Sequence, residues 1–142
     1  MLVSMKATAE QTSGEFILLE ELAPRGTAIP LHVHPQDDES FYILEGEMTF
    51  YLEDGQPMPA SAGSFVHIPK GYVPHAFQVD SETARFLGLT RPPHEHFVRA
   101  AEPAPSRTLP PQEPPDMEKV GAAAAEYGLE ILGPPPGTQP QT

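Results

Sequence analysis

The chain contains no cysteine. That excludes disulfide staples, zinc–thiolate and iron–sulfur sites and thiol nucleophiles at once, so any metal must sit on His, Asp or Glu. Basic residues are scarce as well: 8 Lys and Arg stand against 20 Asp and Glu, a formal charge of −12. Such a surface repels a phosphate backbone and offers it no basic stripe, which argues against nucleic acid as a partner. No apolar stretch approaches the roughly 20 residues a membrane helix needs, and the opening MLVSMKATAEQTSGEF lacks the apolar region of a secretory signal. The expectation is a soluble, cytoplasmic protein with no membrane partner. At 142 residues the chain has room for one ordinary domain and one core.

Proline, by contrast, is abundant and unevenly placed, with 19 residues that cluster from Pro103 to Pro115 and again from Pro134 to Pro136. Lacking a backbone donor, proline marks extended or turn-like stretches there. The organisation that follows is a β-domain over 1–101, a proline-rich linker over 102–115, a C-terminal helix packing on the domain over 116–133 and a disordered tail over 134–142. Within the domain, short strands are expected at 16–22, 28–34, 41–44, 47–53, 64–68, 75–79 and 85–90. Gly, Pro and Asp separate them at intervals near ten residues, the signature of an antiparallel sandwich or barrel. Met48, Phe50 and Leu52 alternate with Thr49, Tyr51 and Glu53 up to Asp54-Gly55, a two-residue hairpin signal. Past the linker, DMEKVGAAAAEYG reads as a short helix with Asp116 as N-cap and Gly128 as its stop, followed by a small apolar hook at Ile131 and Leu132.

The chemistry concentrates in Gly26-x5-His32-x-His34-x4-Glu39-x6-Gly46, followed by Gly63-x5-Pro69-x-Gly71-x3-His75. Side chains at i and i+2 of a strand share a face, so His32 and His34 project together while Val33 points away. After the turn at Pro35-Gln36-Asp37-Asp38, Glu39 can return to the same end of a barrel, and His75 follows the Pro69–Gly71 turn. Three imidazoles and a carboxylate suit one divalent transition metal, Fe, Mn, Co, Ni or Zn, and leave coordination positions open for substrate or water. Ca and Mg want mostly oxygen ligands and are disfavoured.

These two stretches resemble the two sequence motifs of the cupin superfamily. The first matches at every fixed position. The second departs twice, with three rather than two residues between Gly71 and His75 and with Val79 where an Asn is expected. HVHPQDDESFYILEGEMTFYL, FVHIPKGYVPHAFQV and YGLEILGPPP look like the small one-barrel cupins similar to bacterial quercetin 2,3-dioxygenases. The resemblance implies an all-β, double-stranded β-helix (jelly-roll) barrel that holds Fe, Mn, Ni, Co or Zn through His32, His34, Glu39 and His75. It also implies that Glu39 can serve as a base toward a flavonol hydroxyl.

Phe41 and Phe77 share strand parity with Glu39 and His75 and are the aromatics expected to line a substrate pocket, whereas Phe50 and Phe86 read as core. His94-Glu95-His96 follows Pro92-Pro93 outside the strand pattern and is not expected to be a ligand pair. His67 reads as a wall residue, and Asp37 and Asp38 as a solvated turn. Three functions stay open. The first is a metal-dependent dioxygenase acting on a flavonol-like or other enolisable small molecule. The second is a non-catalytic, metal-dependent binding or sensor module. The third, isomerase or lyase chemistry, would need extra cationic groups, for which Lys70 and Arg85 are the nearby candidates. Exposed strand edges and apolar outer faces favour a homodimer.

Overall fold

A computed structural model describes residues 1–53, 56–95, 98, 117–127 and 129–136. The linker at 102–115, the Asp54-Gly55 turn, His96, Asp116, Gly128 and the tail beyond residue 136 lie outside the described residues. Two five-stranded antiparallel sheets pack face to face. One carries β1 (Leu2–Ala7), β2 (Ile17–Pro24), β9 (Thr83–Thr90), β4 (Glu39–Glu45) and β7 (Phe65–Ile68), in that order across the sheet. The other carries β10 (Glu130–Gly133), β3 (Leu31–His34), β8 (Gly71–Val79), β5 (Glu47–Leu52) and β6 (Gln56–Ser61). Neighbours in each sheet are mostly distant in sequence, the interleaved pairing of a double-stranded β-helix.

Period-two alternation builds the core. Along β2, Ile17, Leu19, Glu21 and Ala23 are buried and alternate with half-buried residues. Inward residues of both sheets, among them Phe41, Ile43, Met48, Phe50, Phe77 and Phe86, form one apolar cluster. Ile17, Leu19 and Val98 form a smaller one against Val3 and Met5. The turn between β4 and β5 shows why Gly46 is needed. Its φ is +96°, and a Cβ there would lie 2.5 Å from the Thr83 carbonyl oxygen and 2.9 Å from the Ala84 Cα, a clash on top of a backbone conformation that L side chains resist.

Three strands lie outside the sequence expectation. β6 contains Pro57 and Pro59 and is tolerated because it is an edge strand, bonded only to β5. β1 pairs with β2, and β10 pairs with β3, so the apolar hook at Ile131 and Leu132 is a strand rather than part of a helix. Helix α1 spans Met117–Tyr127, shorter than the expected 116–133, with Ala123 and Ala124 buried. β8 starts at Gly71 instead of His75, which moves His75 from a strand end to its interior. Among the described residues no helix is long and apolar enough to cross a membrane.

Candidate metal centre

β3 and β8 are adjacent antiparallel strands whose register sets His32 opposite His75. β4, in the facing sheet, brings Glu39 to the same end of the sandwich. Donor atoms of His32, His34, Glu39 and His75 all lie within 4.8 Å of one another. His32 Nε2 is 3.0 Å from His34 Nε2, and Glu39 Oε2 is 3.1 Å from His34 Nε2 and 3.7 Å from His75 Nε2. Adjacent donors about 2.1 Å from a common ion sit roughly 3.0–3.4 Å apart, so the 3.0 Å His32–His34 and 3.1 Å Glu39–His34 separations match neighbouring ligands of one ion, while the 3.7 Å Glu39–His75 separation is wider. The three imidazoles are buried, and the Glu39 side chain is 12% exposed.

Tautomers reinforce the fit. His32 Nδ1–H donates to the Pro30 carbonyl at 2.8 Å, and His75 Nδ1–H donates to the Val73 carbonyl at 3.0 Å. Each bond leaves the ring's Nε2 lone pair aimed at the shared centre. His75 Nε2 and Glu39 Oε2 are buried yet meet no aligned hydrogen-bond partner. Unsatisfied buried donors and acceptors are costly in a native interior, and a cation at their convergence removes that cost. This is a His/Glu cluster capable of holding a metal ion.

Electrostatics point the same way. Burial, with the neighbouring His75 and His34, pushes the His32 pKa down to about 3, keeping its ring neutral as a ligand requires. Burial disfavours the Glu39 carboxylate, but the close His34 and His75 nitrogens outweigh it and hold the carboxyl well below the usual range. Glu39 is also placed from behind. Thr90 Oγ1 donates to the Asp38 carbonyl at 3.0 Å, Arg91 Nε donates to Asp38 Oδ1 at 2.8 Å, and Arg91 also reaches the Glu15 carbonyl at 3.1 Å. Asp38, read from sequence as part of a solvated turn, is therefore half of a clamp between the β3–β4 turn and the end of β9.

Residues 18–90 match the cupin domain family. The chain belongs to the cupin family. The chain is 36% identical over 86 residues to the quercetin 2,3-dioxygenase of Bacillus subtilis (strain 168), a match covering 61% of this chain but only 25% of that relative's length. Among solved structures, a cupin family protein with a double-stranded β-helix fold from Methanocaldococcus jannaschii superposes with a TM-score of 0.53 at 25% identity, over 64% of this chain and 79% of the other. A predicted oxalate decarboxylase of Thermotoga maritima gives a TM-score of 0.58 at 23% identity, over 63% and 77%; at that identity the likeness shows the fold alone.

Other residues of this cupin fall in varied places. Phe41 and Phe77 are the next inward residues after Glu39 and His75 on their strands, and their rings pack 5.8 Å apart in the aromatic core. His67 lies on the outer wall, where its Nδ1 pairs with Ser40 Oγ at 2.8 Å. Arg85 is also on that outer wall, ion-paired with Glu20 and Glu45 and remote from the cage. The residue missed by sequence reasoning is His94. It sits in a helical turn at residues 93–95, buried, with its ring 4.9 Å from that of His34. Burial pushes its pKa down to about 4. The His-x-His pattern marked it as unusual, but only the fold-back of the chain after β9 brings it to the cage. Val79, standing where the family motif expects Asn, is buried in the apolar cluster.

Proposed function

We propose that this cupin holds one divalent transition metal, Fe, Mn, Ni, Co or Zn, on His32, His34, Glu39 and His75, and that it acts as a dioxygenase on a flavonol-like or other enolisable small molecule. The observation that carries the reading is the convergence of three imidazole nitrogens and one carboxylate oxygen, two of the rings locked in the tautomer a ligand needs. Similarity to a quercetin 2,3-dioxygenase supports the reaction class, across the part of that protein this chain spans. When bound, the ion supplies Lewis acidity that favours the deprotonated form of a coordinated hydroxyl. Glu39 accepts the hydroxyl proton at a carboxylate oxygen. Phe41 and Phe77 present an apolar aromatic layer beneath the ligands, suited to a flat ring system, and buried His94 closes the side next to His34 and excludes water.

The test combines elemental analysis of the purified protein with oxygen uptake over a panel of flavonols, phenols and diketones. About one metal per chain and oxygen consumption with at least one flat enolisable compound are expected. A fully metallated protein that binds such compounds and consumes no oxygen would make it a metal-dependent binding or sensor module instead.

A further inference from the structure

His94 is not one of the four converging donors, yet the fold carries it to their side. β9 ends at Thr90, the strand partner of Glu39, and the chain then turns through Arg91, Pro92 and Pro93. The His94 N–H donates to the Arg91 carbonyl at 3.1 Å and the Glu95 N–H to the Pro92 carbonyl at 3.0 Å, while Arg91 itself is pinned to Asp38 and to the Glu15 carbonyl. The clamp that places Glu39 therefore also places His94, three residues past Arg91. His94 is buried, with its ring 4.9 Å from that of His34 and tilted 61° to it. The ionisable groups that act on it are Glu39, His34 and His75, so it adjoins the shared centre and not His34 alone.

The cage itself holds no donor for what it would bind. His32 and His75 commit their Nδ1–H groups to the Pro30 and Val73 carbonyls, and an ionised Glu39 can only accept. A hydroxyl that yields its proton to Glu39 becomes an anion, and a fixed N–H beside such an oxygen makes a charge-assisted bond that sets its orientation. Outside the cage, the buried polar side chains among the described residues are Glu21, Thr90 and His94. An ionised Glu21 has no proton to offer, and Thr90 Oγ1 donates to the Asp38 carbonyl. A histidine ring carries at least one N–H in either protonation state. Having two nitrogens, it can bond a neighbour through one and a ligand through the other. The side fits too. The imidazoles come from β3 and β8 and the carboxylate from β4, so β9, the strand that leads to His94, contributes no ligand.

We propose that His94 orients the ligand of this site: its ring N–H donates a hydrogen bond to the anionic oxygen that an enol, phenol or hydroxamate presents at the open side of the cage. The inference rests on the metal-cage reading above and adds a selectivity to it. Glu39 takes the proton, and His94 favours the oxygen that has lost one over an ether oxygen, which carries no charge to strengthen the bond.

Calorimetric titration of the full, zinc-loaded chain tests it, because zinc has no redox chemistry and binding is read without turnover. Two probes are used, acetohydroxamate, which needs only an open metal position, and 3-hydroxyflavone, which also tests the flavonol reading. His94→Phe keeps the ring and removes the N–H, and should bind acetohydroxamate about tenfold more weakly or worse, with zinc content and circular dichroism as in wild type. His94→Gln restores an N–H donor and should stay within about threefold of wild type. His67→Phe, on the outer wall, serves as the control and should bind as wild type does. Wild-type affinity in His94→Phe overturns the assignment. Equal weakening in His94→Phe and His94→Gln, or loss of zinc from His94→Phe, also overturns it, since the ring then acts by packing against His34. If 3-hydroxyflavone fails to bind while acetohydroxamate shows the His94 effect, the flavonol reading falls and His94 keeps its role. If 3-hydroxyflavone binds wild type and His94→Phe equally, the flavonol reading stands and the role of His94 falls. Zinc-loaded wild type that binds neither probe overturns both.

Discussion

His32 and His75 face each other across adjacent strands with ring centroids 4.2 Å apart, and each is held by the same device, an Nδ1–H bonded to the carbonyl two residues earlier. The two rings therefore present their Nε2 atoms to one point without any contribution from a metal. A site prepared in this way loses little conformational entropy on loading.

Removing one of these ligands should empty the cage. His75→Ala takes away a donor and leaves Glu39 without one of its two close imidazoles, and His34→Ala takes away the other. Metal content by mass spectrometry of the purified protein is expected to fall from about one per chain to a tenth or less in the double variant. Full occupancy in that variant would place the metal elsewhere.

At Gly46 the expected cost is steric. Gly46→Ala drives a Cβ into the Thr83 carbonyl, while Gly63→Ala, at a comparable φ of +91°, meets open space. The second change carries only the left-handed backbone penalty of about 1–2 kcal/mol, and the first must exceed it. Thermal denaturation should show Gly46→Ala losing clearly more stability. Equal losses would mean the turn relaxes at no cost.

Arg91 lies 53 residues from Asp38 in sequence, yet their ion pair anchors the turn that ends in Glu39. The pair is exposed, so its direct contribution to stability is about 1 kcal/mol or less. Arg91→Ala should thus leave the melting temperature nearly unchanged and weaken metal affinity by about tenfold through a looser Glu39. Chelator competition measures this. An affinity equal to wild type would show that Thr90 alone places the turn.

How much of this was legible beforehand follows from the range of each signal. The shared face of His32 and His34 comes from strand parity, which acts over two residues, and Glu39 and His75 follow from motif spacing. β6 escaped because Pro57 and Pro59 break a strand pattern that an edge position permits. β10 escaped because four residues carry too little periodicity to read. His94 and the Asp38–Arg91 clamp depend on where the chain lies after β9, information that no local pattern holds.

The pH response of the metal-free protein follows from two buried neutral rings. The pKa values of His32 and His94 are depressed to about 3 and about 4, from about 6.5 when unfolded. The unfolded chain then binds more protons below pH 6.5, so stability from these groups is present above that pH and lost as pH falls. The slope is about 1.4 kcal/mol per pH unit for each ring. Protonation of carboxylates on a −12 surface relieves repulsion and opposes the trend, which makes the difference between variants the proper readout. His94→Phe keeps an aromatic ring and removes one of the two titrations, so its advantage over wild type should grow as pH drops from 6.5 to 4.5. A constant difference across that range would mean His94 is not held neutral.

The sharpest distinction between a scaffold and a working base falls on Glu39. Glu39→Gln keeps nearly the shape of the side chain and removes both its charge and its capacity to accept a proton. The neutral amide also ends the attraction that the carboxylate offers to a cation, yet His32, His34 and His75 retain three nitrogen donors. Metal content is therefore expected to fall by only a few-fold. Proton transfer by a positioned side chain contributes about 100- to 10,000-fold to rate, so oxygen uptake per bound metal should drop by about 100-fold or more. Normalising turnover to bound metal separates the two roles, since a pure ligand lowers occupancy and rate together while a base lowers the rate of sites that remain filled. If turnover per metal in Glu39→Gln equals that of the wild type, Glu39 is a ligand only and the substrate proton leaves by another route, for which neighbouring His94 becomes the first group to substitute.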